Sequence, residues 1–70
     1  MKEVERCLLL DLLKSRKMTQ TELANRIGGS KQQIGSYIRN SRVMSLTTAY
    51  NIAEVLGCEI KDLYTWRSKQ

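Results

Sequence analysis

The stretch Met18-Thr19-Gln20-Thr21-Glu22-Leu23-Ala24-Asn25-Arg26-Ile27-Gly28-Gly29-Ser30-Lys31-Gln32-Gln33-Ile34-Gly35-Ser36-Tyr37-Ile38 decides how the chain is read. It carries two helix-start signals separated by a glycine pair. Thr19 followed by Glu22 is a capping box: the hydroxyl accepts a first-turn amide while the carboxylate reaches back to the N–H of the cap. Met18 before the cap and Leu23 after it form a hydrophobic staple. Leu23, Ala24 and Ile27 then face inward, and small Ala24 lets a second helix cross closely. Gly28 supplies the positive φ that ends a helix. Ser30 opens the next helix with Gln33 in the box position. Ile34, Tyr37 and Ile38 point to the core, which leaves Lys31, Gln32, Gly35, Ser36 and Arg39 on the opposite side.

Outward from this stretch the pattern stays helical. A first helix is predicted from about Lys2 to Arg16, with Val4, Leu8, Leu9, Leu12 and Leu13 covering one broad face. Asn40 tolerates the left-handed conformation that closes the third helix. Ser45 caps a fourth, in which Leu46, Ala49, Ile52, Ala53 and Leu56 repeat at helical spacing before Gly57. A short last helix contains Ile60, Leu63 and Tyr64, followed by Trp66 and a polar tail. There is no proline and no strand-like alternation. The expected fold class is therefore all-α, a compact five-helix bundle forming one domain over residues 1–70, with a helix-turn-helix at about residues 19–39.

Composition bounds the function. Seventy residues make one domain at most, too few for a separate ligand-sensing unit. With 41% hydrophobic and 27% charged residues, the chain suits a globular protein rather than a disordered tail. No apolar run approaches the roughly 20 residues needed to cross a bilayer. The amino end places Glu3 and Glu5 ahead of the leucines and lacks a small-residue cleavage site, against a signal peptide. Cys7 and Cys58 lie far apart within apolar patterns. One disulfide between them is open, but reduced, buried thiols fit better and suit a cytoplasmic protein. Histidine is absent, so the usual zinc arrangements are excluded, and neither metal nor cofactor is expected. Without histidine, a carboxylate pair or a phosphate-cradling glycine loop, the chain does not read as an enzyme.

Charge points elsewhere. The net charge is +5, and no acid occurs between Glu22 and Glu54, an interval holding Arg26, Lys31, Arg39 and Arg42. A polyanion meets no repulsion there. On the outward side of the third helix, Gln32 can bond an adenine in bidentate fashion and Lys31 can donate to guanine or to a phosphate. Ser36 would need close approach or a bridging water, and Gln33 serves either the DNA or its own helix cap. Ser30 stands at the start of the same helix, and Arg39, Asn40 and Arg42 follow it where they could grip the backbone.

Thr19-Gln20, Glu22-Leu23-Ala24, Ile27-Gly28, Ser30, Ile34, Ser45-Leu46, Ile52-Ala53, Leu56-Gly57 and Asp62-Leu63-Tyr64, in this order, resemble the Cro-type, lambda-repressor-like helix-turn-helix domains, also called the XRE family. The resemblance spans about residues 5 to 65. It implies a small repressor that occupies a palindromic operator in double-stranded DNA as a homodimer. It also implies that Gln20 bonds a phosphate, although an ordinary exposed helix-start residue would look the same. Pairing is implied through the loop before the fourth helix and through the last helix, which nominates Val43, Met44, Tyr64 and Trp66. The alternative is that Tyr64 and Trp66 cap the core of a monomer. Leu13 and Ile38 stand where members commonly pair an arginine with a glutamate, Gly29 replaces a branched apolar residue, and the loop Asn40–Met44 lacks the usual proline. A second function class on the same fold is an antitoxin with a toxin partner, or a protein-interaction adaptor.

Overall fold

In the computed structural model, which describes residues 1–69, Thr19, Ser30 and Ser45 each open a helix. Their hydroxyls accept from the backbone N–H groups of Glu22, Gln33 and Thr48, satisfying donors that a helix start leaves unpaired. The helices are α2, Gln20–Ile27, α3, Lys31–Ile38, and α4, Leu46–Leu56. Gly28 and Gly57 end α2 and α4 at φ 71° and 68°. The N–H of Gly29 returns to Ala24 O at 2.8 Å and that of Cys58 to Ala53 O at 3.0 Å, closing both carboxyl ends.

The expectation of an all-α, five-helix bundle is corrected at both ends of the chain. Lys2–Cys7 is a strand, β1, and the first helix, α1, spans only Leu9–Ser15. The last helix shrinks to one 3₁₀ turn, Ile60–Leu63, after which Tyr64–Ser68 forms β2, antiparallel to β1. Among the described residues the fold is thus four α-helices, one 3₁₀ turn and a two-stranded sheet.

A bulge explains why β1 reads as helix. Lys2, Glu3 and Val4 oppose Ser68, Arg67 and Trp66, but Arg6 and Cys7 then oppose Thr65 and Tyr64, leaving Glu5 as the additional residue. The bulge reverses the alternation of side chains, so Val4 and Cys7, which both meet the core, lie at a helical rather than a strand spacing. Thr65 Oγ1 accepts the N–H of Arg6 at 3.0 Å, pairing a donor at the irregularity.

One core joins all elements. Leu9 and Leu13 of α1, Leu23 of α2, Ile34 of α3, Ile52 of α4 and Leu63 are sealed from solvent. Ile38 packs against the core that buries Leu13, and α1 touches α3. The N–H of Leu8 donates to Leu63 O at 2.8 Å, tying the start of α1 to the 3₁₀ turn. Arg16 Nε donates to Leu56 O at 2.7 Å, holding the end of α1 against the carboxyl end of α4.

The core also claims two residues expected at a dimer surface. Met44 and Tyr64 are both buried, and the Met44 N–H donates to the Tyr64 hydroxyl at 3.1 Å. They link the α3–α4 loop to β2. Trp66 is 44% exposed; its indole N–H donates to Lys61 O at 2.8 Å, and its ring meets that of Tyr64 edge-on. Cys7 and Cys58 are free thiols, the first buried and the second half-buried, and burial raises both thiol pKa values. No helix of the described residues is long and apolar enough to cross a membrane.

Candidate nucleic-acid interface

The two helices of the decisive stretch are both fixed at their amino ends. Thr19 accepts the Glu22 N–H and Glu22 Oε1 accepts the Thr19 N–H, both at 3.0 Å, so the whole capping box forms. These hydrogen bonds to Thr19 hold the Glu22 carboxyl below its ordinary pKa. Across the Gly28–Gly29 turn, only half of the second box forms. Ser30 Oγ accepts the Gln33 N–H at 3.1 Å, but the Gln33 side chain donates to the Tyr37 hydroxyl at 3.0 Å instead of returning to Ser30. Gly29 belongs to this arrangement, since a Cβ there would run into Gln33 Oε1.

Ile34 and Tyr37 anchor α3 in the core, and its first residues, Lys31 and Gln32, are exposed. Neither side chain hydrogen-bonds within the chain among the described residues. An adenine or guanine edge could therefore take both without breaking an internal contact.

The outward set predicted from spacing is narrower than expected. Ser36 is buried, its hydroxyl donates to Gln33 O at 2.6 Å, and its carbonyl accepts the backbone N–H groups of Ser41 and Arg42. It anchors the turn after α3 and is not part of an exposed face. The physical cause is the α3–α4 loop, which folds back over that side of the helix. Gly35 is buried as well, although Lys31 and Arg39, one turn either side of it, are exposed.

Three further candidates serve the fold here. Ser30 and Gln33 make the contacts just described, and Asn40 Oδ1 accepts the Cys7 N–H at 2.8 Å. Asn40 does adopt the left-handed conformation, at φ 60°. Arg39 and Arg42 are exposed beyond the carboxyl end of α3, and Gln20 is half-buried in the first turn of α2. Gln20 also borders an open groove of about 470 Å³, with Lys14 and Lys31 at its rim and Leu13 and Met18 in its lining. Sequence periodicity did not nominate Lys14, because the groove beside it is completed by residues of α2 and α3. The described residues contain no cluster of side chains able to hold a metal ion.

The profile of the helix-turn-helix family matches residues 9–63. Among similar proteins is an SPbeta prophage-derived uncharacterized HTH-type transcriptional regulator, YopS, of Bacillus subtilis strain 168. It is 38% identical over 66 residues, covering 93% of this chain and 89% of YopS. A second regulator so described from the same prophage and strain, YotL, is 32% identical over 63 residues, covering 89% and 79% respectively. The solved structure of the transcriptional regulator VanUg superposes with a TM-score of 0.72 at 28% identity, covering 97% of this chain and 89% of that one.

Proposed function

This chain belongs to the helix-turn-helix family and is a DNA-binding transcriptional regulator, and from that premise we propose that it is a small repressor acting by operator occupancy in the cytoplasm. The observation that carries the DNA-reading assignment is the pairing of Lys31 and Gln32 on the exposed start of a helix whose other side is locked in the core. In this reading α3 enters the major groove. Gln32 reads an adenine, Lys31 reads a guanine or holds a phosphate, and Gln20, Arg39 and Arg42 contact the backbone. Selection of binding sites from random duplexes tests it. Gln32→Ala should relax preference at one base pair and cost about 1–3 kcal/mol on the best site. An unchanged preference would remove Gln32 from the reading face.

One such unit reads a half-site, so the repressor pairs on a palindromic operator. Of the residues nominated for pairing, Val43, 63% exposed, and Trp66 retain accessible surface. Sedimentation at micromolar concentration should show a dimer that Trp66→Ala weakens; the same mass for both proteins would exclude Trp66 from the contact.

A further inference from the structure

Gly35 lies on the outward stripe of α3, between Lys31 and Arg39, yet it is buried. The atoms that approach it explain this. A Cβ at Gly35 would lie 2.9 Å from Arg39 Nη1 and 3.9 Å from Gln20 Oε1. The Arg39 side chain therefore runs back along α3 by one turn, and its guanidinium occupies the space a side chain would fill. Gln20, from the first turn of α2, closes the same space from the other helix. Glycine within a helix carries a propensity cost against alanine, and the φ of Gly35 does not require glycine. What glycine supplies here is room.

We propose that Gly35 is a positioning residue for DNA binding: its missing side chain seats the Arg39 guanidinium beside Gln20, so that both side chains grip the same backbone phosphate. The proposal rests on α3 entering the groove of duplex DNA. Guanidinium and amide N–H groups are complementary to phosphate oxygens, and no Asp or Glu occurs in the chain between Glu22 and Glu54 to compete for the cation. Arg39 thus acts on the reading side of the helix rather than as a trailing charge beyond its end.

Phosphate contacts carry no base information, so a labelled duplex of arbitrary fixed sequence, at an ionic strength on the order of 50 mM, is the probe. Gly35→Ala should fold and raise Tm by about 4–8 °C, since the obstructing atom ends a flexible side chain and alanine favours helix. The same variant should bind the duplex about tenfold more weakly. Arg39→Ala should weaken binding comparably, and adding Gly35→Ala to it should cause no further loss. Full affinity in Gly35→Ala, or an undiminished further loss in the double variant, overturns the proposal. If the wild-type protein retards no duplex, the groove reading itself falls and takes this proposal with it. If it binds and Gly35→Ala binds equally well, only the role of Gly35 falls.

Discussion

Asn40 shows how one residue can satisfy a local and a distant demand together. Its φ of 60° ends the turn after α3, and its side-chain oxygen takes the Cys7 N–H where β1 leads into α1. The local demand was legible, because asparagine is among the few residues that accept this conformation. The distant one was not, because Cys7 lies more than thirty residues away. The two demands separate by substitution. Asn40→Gly keeps the backbone conformation and loses the hydrogen bond, and should cost about 1–3 kcal/mol. Asn40→Ala loses both and should cost about 2–4 kcal/mol. Urea denaturation of the two variants checks the order; equal costs would mean that the backbone conformation contributes nothing. Ser36 teaches the converse. Its spacing placed it outward, but the returning α3–α4 loop buried it, and helical periodicity contains no information about what covers a face.

At the scale of elements, α2, α3 and α4 were legible because their boundaries are made by residues within one turn of themselves. A cap is a short-range hydrogen bond and a glycine stop is a local dihedral. Thr19→Ala should therefore cost about 1 kcal/mol, read as a lowered denaturation midpoint. The same box gives a pH dependence. Folding depresses the pKa of Glu22, chiefly through the Thr19 N–H, so its stabilising contribution is present above the unfolded-state pKa. It is lost as pH falls through the lower folded-state value. Acid titration of stability should show this loss below the ordinary glutamate range, and Glu22→Gln should diminish it. An identical acid limb in both proteins would contradict the assignment. The strands were hidden for a reason of the same kind. β1 has a register only against β2, and the bulge at Glu5 gives its core-facing residues a helical spacing.

For the whole molecule, charge is the property the sequence states most directly. The net charge is +5, and the acid-free interval between Glu22 and Glu54 includes the whole of α3. Tertiary structure decides which of these cations face outward together. Arg42 is exposed just beyond α3, with its backbone N–H held by the Ser36 carbonyl. Arg42→Ala should weaken binding to all duplexes alike and flatten the slope of log K against log salt by about 0.9. A sequence-dependent loss would instead make Arg42 a base-reading residue. Lys14 could be placed beside the groove only with the fold in hand, since its neighbours there come from α2 and α3.

The sequence by itself determined the helix-turn-helix, its caps, the residue types at the start of α3 and the basic interval around them. Each depends on interactions between residues a few positions apart, which order in the chain specifies. Only the tertiary structure decided that the two ends zip into a sheet, that Met44 and Tyr64 belong to the core, and that Gly35 makes room for Arg39. In the first two, partners far apart in sequence must be brought together. In the third, a long side chain chooses among rotamers according to the helix packed beside it. Periodicity fixes the direction in which a residue leaves its helix, whereas packing fixes what it meets there.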